Sequence, residues 1–390
     1  MIKLDVVAAP PTASAPPAPQ GSVQNAATGQ VIHFEVDPPP ARETLPRQKV
    51  FQKLKYRVMR WFNQRLNERE YRRRKVYLRS FPEMLCIDPT NVCQLKCPLC
   101  ATGTGSAREK KGMLQQPMLE RVLEQLGPYL YQVHFYNWGE PLLNPKLPDL
   151  IRYVKTNYPA KTYFSTNLNY LPEKLADRIL LSGVDEITCA VDGLTEASYQ
   201  KYRVGGSLAA VLENLRLLLR RRTELGLGKS PKIIFRFMIM KHNEHELEDA
   251  RRMAKEMGAS FRSKSVRIDM SDFNRGSYEQ KLAQRSEWLP ANKEHNRYEK
   301  HQDRLDWGRQ CQDLWKRTFV TPNGAVHPCC NTFDPGDHFA THFPEDFYRE
   351  IWNGPRYTLA RAIFHGLDIP HDPYTACKSC VAQGNHLFVS

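Results

Sequence analysis

Residues 84–100 read MLCIDPTNVCQLKCPLC, and this stretch decides the fold. Its opening MLCID is a short run of strand-forming type, closed by proline, threonine and asparagine, which favour a turn over a longer strand. Cys93, Cys97 and Cys100 follow at once, with three residues between the first pair and two between the second. Three thiolates on one short loop can hold three corners of an iron–sulfur cube. A 4Fe-4S cluster normally takes four cysteine ligands, so a compact set of three leaves one iron open to a substrate or cofactor. Zinc is the competing metal, but structural zinc wants four closed ligands and no fourth is local. The plain alternative is a chance cluster of structural cysteines.

Downstream, β-rich runs alternate with helical patterns. MLCID precedes a helix near 117–127, VHFY one over 147–157, KTYFST one over 172–182, EITCAV one over 208–225 and KIIFRFM one over 244–257, with a last strand near 261–268. Six βα repeats predict a parallel sheet with helical crossovers, an α/β fold in the form of an open (β/α)6 partial barrel over residues 81–270. Active sites of such sheets lie at the C-terminal strand ends. Residues 271–310 are charged without clean periodicity and read as a linker. Residues 311–390 form a small α+β region: the hairpin TFVTPNGAVHP, where Asn323 and Gly324 suit a tight turn, then a helical stretch near 345–365 and a Cys-rich end.

At CQLKCPLC the sequence resembles the radical S-adenosylmethionine (radical SAM) superfamily, whose signature spacing these cysteines match at the end of a first barrel strand. The resemblance covers roughly residues 84–270. It implies a 4Fe-4S cluster on Cys93, Cys97 and Cys100 that binds S-adenosylmethionine (SAM) through its amino and carboxylate groups. One-electron reduction, from an external donor of flavodoxin or ferredoxin type, would cleave SAM to a 5'-deoxyadenosyl radical, while the protein positions the substrate. YNWGEP resembles the family's Gly-Gly-Glu motif, with Trp138 in place of the first glycine. Gly139 and Glu140 are then cofactor-binding, the Glu140 carboxylate accepting a charge-assisted hydrogen bond from the SAM ammonium. Leu99 stands where the family often has an aromatic residue. Ser165, Thr166 and Asn167 resemble the polar strand end that faces SAM. Asp192, in AVDG, is expected to reach the ribose or the substrate, and Arg203, in KYRVGG, to sit over the same pocket, as is Asn243. The competing reading of these residues is turn chemistry, helix capping or, for Arg203, the surface. No catalytic acid or base is identified.

Cys311 is followed by twelve residues, Gly324, four residues and Cys329; Cys377 and Cys380 come later, separated by two. Four such thiolates make a closed site for a second 4Fe-4S cluster or for zinc. The arrangement resembles the SPASM and twitch extensions of radical SAM enzymes. No cysteine follows Cys380, which fits the shorter twitch type with one auxiliary cluster. Cys330 is the alternative ligand to Cys329, the four-residue gap from Gly324 favouring Cys329. Cys86 and Cys189 fall within strands and are expected in the core. Among the histidines, His242 and His245 are the one pair with metal-like spacing, and both are expected in solvent.

The chain has 390 residues, 41% of them hydrophobic, and its net charge is +14. No run approaches the roughly 18 apolar residues of a membrane span, and the short apolar N-terminus falls well under a secretory signal. A cytoplasmic protein is therefore expected, in which ten cysteines are ligands or core residues rather than disulfides. Residues 1–46 hold nine of the 28 prolines and read as a disordered tail. Residues 47–80 read as a basic amphipathic helix: thirteen Lys or Arg face two Glu over 47–79, and Val50, Leu54, Val58, Trp61, Phe62 and Leu66 share one helical face. Two readings stay open for it, docking on the main domain with the charged face in water, or contact with a membrane surface or other anionic partner. No leader-binding module is recognisable, which tilts the substrate toward a small or sugar-like molecule over a peptide or protein side chain. The expected reaction is hydrogen abstraction from carbon, then oxidation with the auxiliary cluster as electron acceptor. A non-catalytic iron–sulfur or zinc protein that binds RNA or membrane is the rival class. It leaves unexplained why cysteines, GEP and polar strand ends meet at one sheet edge, and no nucleic acid partner is expected.

Overall fold

The computed structural model describes residues 22–24, 31–33, 47–268, 283, 285–300, 311–332, 334–365, 376, 377 and 380. The tail expected to be wholly disordered contains a short antiparallel ladder, β1 (Ser22–Gln24) with β2 (Val31–His33). The rest of 1–46 lies outside the described residues, as does much of 271–310.

Six strands then pair in parallel, in chain order across the sheet: β3 (Met84–Ile87), β4 (Gln132–His134), β5 (Lys161–Thr166), β6 (Glu186–Ala190), β7 (Lys232–Ile239) and β8 (Ser260–Ser265). Parallel neighbours cannot be joined by a tight turn, and the crossovers are helices. After α1 (Arg47–Arg72) these are α2 (Gln116–Leu126), α3 (Leu147–Asn157), α4 (Glu173–Leu181), α5 (Glu196–Tyr202) with α6 (Leu208–Glu224), and α7 (Leu247–Met257). Each long crossover buries one stripe at helical spacing, such as Leu119, Val122, Leu123 and Leu126 in α2, or Leu208, Val211, Leu215, Leu218 and Leu219 in α6. These stripes meet the strand row Phe164, Ile187, Cys189, Phe235 and Phe237 in one core. Each such side chain contributes about 1.5–3 kcal/mol by leaving water. Because side chains alternate along a strand, the opposite row, with Tyr163, Ser165, Thr188 and Arg236, faces the inside of the curved sheet and is only half-buried.

The C-terminal hairpin belongs to the same sheet. Strand β9 (Arg317–Val320) pairs in parallel with β3, and β10 (Val326–His327) pairs antiparallel with β9, giving eight strands in the order β10-β9-β3-β4-β5-β6-β7-β8. Gly324 closes the turn at φ +89, where an added Cβ would lie 2.1 Å from the Phe343 carbonyl oxygen. Helices Tyr348–Trp352 and Pro355–His365 follow, the latter anchored by the buried Arg361, which donates to the Leu314, Val76 and Trp352 carbonyls. Within the expected linker, Trp288 is buried beneath the cysteine loop with Leu95, Cys97, Tyr202 and Met240.

Helix α1 is docked, but not as a docked amphipathic helix should be. Its inner face is polar: buried Asn67 donates to Ser80 Oγ and the Trp315 carbonyl at 3.0 and 2.6 Å, and buried Glu70 accepts from the Arg79 and Ser80 amides and from Ser80 Oγ. Tyr56 stacks on Tyr158, and Lys53 donates to the Lys155 carbonyl. The apolar stripe instead faces water, with Val50 53%, Leu54 55%, Val58 51%, Trp61 48% and Phe62 61% exposed, joined by Phe51 at 72%. The helix is docked with Lys55, Arg57, Arg65, Arg69 and Arg72 in water as that reading has it, and the difference lies in which face makes the contact. The seam combines these hydrogen bonds with the packing of Tyr56 on Tyr158 and Tyr71 on Trp315, and of the apolar stripe only Leu66 is half-buried, the rest having no cover among the described residues.

Candidate active site

The loop after β3 is shaped by buried polar groups before any cofactor is considered. Asp88, at the strand end, accepts a hydrogen bond from the Trp138 amide at 2.9 Å. Its burial pushes the carboxyl up to about 7, against the backbone donors of Trp138, Gly139 and Asn137. This bond draws the YNWGEP turn against Thr90 and Asn91. The approach is so close that a Cβ on Gly139 would lie 1.8 Å from the Thr90 carbonyl oxygen, so glycine is required there. The departure at Trp138 leaves that requirement intact, because Gly139 is the residue at the contact.

Glu140 follows, buried at the β4 edge. Its Oε1 accepts from Thr166 Oγ1 at 2.7 Å and the Leu142 amide at 3.0 Å, and its Oε2 accepts from the Asn167 amide at 2.7 Å. Burial raises its carboxyl above the usual range, opposed by these donors. Thr166 thus acts on Glu140 rather than facing outward. Three of about four lone-pair positions are committed, which leaves Oε2 able to accept one more donor. The Asn167 side chain exchanges hydrogen bonds with the Gln94 amide and approaches Cys93 Sγ at 3.7 Å.

On the other side of the cysteines, Arg203 spans two groups. Its guanidinium makes a two-pronged contact with Asp192 Oδ2, through Nε at 2.8 Å and through Nη2, while Nη1 lies 3.7 Å from Cys97 Sγ. Asp192 is fully buried; its Oδ1 accepts from the Met238 amide at 2.8 Å, and Arg236 Nη2 stands 3.4 Å from Oδ2. Burial disfavours its charge, yet Arg203 and then Arg236 hold its carboxyl below the usual range. With these partners Asp192 orients the two arginines. Asn243 does not border the pocket as expected. It is buried, donates to the Asp192 and Met238 carbonyls and accepts from the Met240 amide, so it fixes the strand end.

Burial pushes the Cys93 thiol up to about 12, and raises Cys97 against the Arg203 charge. A dry pocket penalises free thiolates, whereas cationic iron offsets that penalty and deprotonates its ligands. All ten cysteines are free of disulfides, and the residues fit a cube held by Cys93, Cys97 and Cys100 with an arginine alongside.

In the C-terminal region, Cys377 is close enough to Cys311, Cys380 and Cys329 for their charges to be felt, and burial drives it and Cys329 well above the ordinary thiol range. Cys330 lies beside Cys329 and shares Asp313 with it, and it is also near Arg267, Lys264, Arg317 and the Cys86 side chain. Cys86 and Cys189 are buried, as expected. His242 is not solvated: its Nε2 lies 3.1 Å from the Ser198 carbonyl and its ring packs edge-on to Trp288, while His245 is exposed. A third cluster, Glu109 with His327 and His338, has no signature in the sequence because its members lie far apart in the chain; their ligand atoms all fall within 4.8 Å of one another. A polar row lines the inside of the sheet. His134 Nδ1 bonds Tyr136 Oη at 3.0 Å and its ring faces Tyr163, and burial keeps the imidazole neutral down to about 4. Alternation along β4 was the available signal.

A family model for the radical SAM superfamily matches residues 87–254, and one for SPASM, an iron–sulfur cluster-binding domain, matches residues 311–381. Among curated proteins, the chain is 28% identical over 138 residues to a probable GTP 3',8-cyclase of Methanococcus maripaludis, covering 35% of this chain and 44% of that protein. It is 27% identical over 177 residues to a tungsten-containing aldehyde ferredoxin oxidoreductase cofactor-modifying protein of Pyrococcus furiosus, covering 45% and 48%. To the mycofactocin maturase MftC of Mycobacterium ulcerans it is 24% identical over 188 residues, covering 48% of each. The chain thus spans about half the length of the curated relatives it matches. In fold it is similar to Streptococcus suis SuiB bound to precursor peptide SuiA, with TM-score 0.54, 17% identity and coverage of 77% of this chain and 71% of that one.

Proposed function

Because this chain belongs to the radical SAM superfamily and carries a SPASM-type iron–sulfur region, we propose that it is an enzyme that abstracts hydrogen from a substrate carbon and completes an oxidation. When bound, a 4Fe-4S cluster with SAM supplies a 5'-deoxyadenosyl radical on one-electron reduction, and an auxiliary 4Fe-4S cluster accepts an electron. The observation that carries this reading is the convergence of Cys93, Cys97, Glu140, Asn167, Asp192 and Arg203 on one edge of the sheet. Gly139 lets the turn approach, Thr166 and the Asn167 amide orient Glu140, and the remaining Glu140 lone pair accepts from the SAM ammonium. Arg203, fixed by Asp192, keeps a positive charge beside the cluster. Cys311, Cys329, Cys377 and Cys380 hold the auxiliary cluster, and the electron donor is an external protein of flavodoxin or ferredoxin type. The half-buried row of His134, Tyr163, Ser165 and Arg236 inside the sheet favours a polar small molecule or sugar as substrate. A peptide is the second reading, favoured by the likeness in fold to SuiB, which binds a precursor peptide.

Anaerobically reconstituted protein given dithionite and SAM is expected to release 5'-deoxyadenosine, and the C93A/C97A/C100A variant to release none. Cleavage that persists in this variant would overturn the reading.

We also propose that α1 rests on an anionic lipid surface. Two features support it: the outward stripe of Val50, Phe51, Leu54, Val58, Trp61 and Phe62, and the adjoining groove beside Trp61, where Arg65, Arg69, Arg72, Arg73 and Lys316 outnumber Glu68 and Glu83, although Glu68 pairs with Arg72 and Lys316. Apolar side chains entering the acyl boundary with cations at the headgroups is the interfacial-helix pattern. Among the described residues no helix is long and apolar enough to cross a membrane. Binding to phosphatidylglycerol vesicles, weakened by salt and absent for phosphatidylcholine, is expected for the full chain and lost in F51E/W61E/F62E. A chain that ignores both vesicles, or that forms dimers broken by this variant, would replace lipid with another occupant.

A further inference from the structure

We propose that Glu109, His327 and His338 form a binding site for a divalent first-row transition ion, distinct from both cysteine sets. The three residues come from different places. Glu109 lies on the loop between the cysteines and α2, His327 on β10, and His338 directly after the short turn of helix Pro335–Asp337. Both imidazoles present Nε2 to the same carboxylate oxygen, Glu109 Oε1: His327 at 3.1 Å, and His338 in direct contact. The two rings stand at 90° with centroids 4.7 Å apart, so they approach that point from different directions, as two ligands on one ion do. The cluster is nearly closed to solvent, with side-chain exposures of 2% for His327, 9% for Glu109 and 10% for His338.

The second observation concerns His327 itself. Although Nε2 is near Glu109, it lacks the alignment of a hydrogen bond, and neither ring nitrogen of this buried side chain completes one among the described residues. Buried polar groups are rarely left so. A cation shared by the three ligand atoms satisfies Nε2 where the carboxylate alone does not.

Two imidazoles and one carboxylate suit zinc, iron(II) or manganese(II) rather than calcium or magnesium, which prefer oxygen ligands. Three protein ligands leave positions for water. An ion here would fasten the loop that follows the cysteines to the C-terminal hairpin, adding to the bond from Asn323 Nδ2 to the Lys110 carbonyl at 2.8 Å.

The test uses the full chain with its clusters reconstituted, cleared with a chelator and dialysed against zinc ion, with zinc and iron measured together. Wild type is expected to hold one zinc per chain. H338A and E109Q are each expected to bind it at least tenfold more weakly, with iron per chain unchanged. Wild type that retains no zinc, or variants that bind it as tightly as wild type, would overturn the site. A readout without variants covers misfolding: cobalt(II) added to wild type is expected to give hyperfine-shifted imidazole N–H resonances, and their absence would equally sink the proposal. SAM cleavage enters neither measurement, so this inference and the proposed activity can fail separately.

Discussion

Arg203 and Asp192 show how a single buried pair constrains the site. Asp192 is inaccessible to solvent, and its charge is tolerated because Arg203 grips one oxygen while the Met238 amide donates to the other. Removing one partner of a buried ion pair strands the other, at about 3–5 kcal/mol. R203M is expected near the lower end of that range, since Arg236 remains 3.4 Å away, and D192N/R203M is expected to recover part of the loss in denaturant unfolding. A double variant no more stable than R203M would show that the pair is not coupled. Asp88 makes a pH-dependent counterpart. Its folded value of about 7 stands above the unfolded value of about 3.9. The native state therefore keeps a proton that the unfolded chain releases, and this group's contribution to stability is full below about 4 and lost as pH rises through about 7. D88N does not titrate, so its thermal midpoint is expected to gain on wild type between pH 5 and pH 8. A gap independent of pH would mean that Asp88 is ionised in the fold.

At the scale of elements, α1 reverses the usual division of labour for a surface helix. The hydrogen bonds of Asn67 and Glu70 and the packing of Tyr56 and Tyr71 hold it, while Val50, Leu54, Val58, Trp61 and Phe62 of its hydrophobic stripe stay exposed. N67A is accordingly expected to cost about 1–3 kcal/mol, because it leaves the buried Trp315 carbonyl without its donor. Placing Glu on the exposed Phe62 is expected to change stability by less than about 0.5 kcal/mol. Urea unfolding of the two variants separates the faces; equal losses would contradict a polar seam. The hydrophobic periodicity of α1 was plain in the sequence, but periodicity reports which residues share a face, not which face the body takes. For α2, α3, α4, α6 and α7 the apolar stripe was also the buried one, so their positions were legible from pattern alone.

For the whole molecule, one eight-stranded sheet carries both cysteine regions, since β9 lies directly beside β3. If each region holds its own cube, wild type approaches about eight irons per chain and C93A/C97A/C100A keeps about four. Zinc in place of iron in that variant, without charge-transfer absorbance, would make the C-terminal set a structural staple. The sequence by itself determined the strand–helix alternation and the loop of three cysteines, because each rests on residues near in the chain with a local physical requirement, whereas the need for glycine at 139 comes from the Thr90 carbonyl on another loop. Tertiary structure alone decided which way α1 faces, that Thr166 serves Glu140, that Asn243 braces Asp192, that the hairpin joins the barrel sheet, and that Glu109 meets His327 and His338. Those outcomes depend on contacts between segments tens to hundreds of residues apart, and chain closure brings them together without leaving a spacing that a sequence can display.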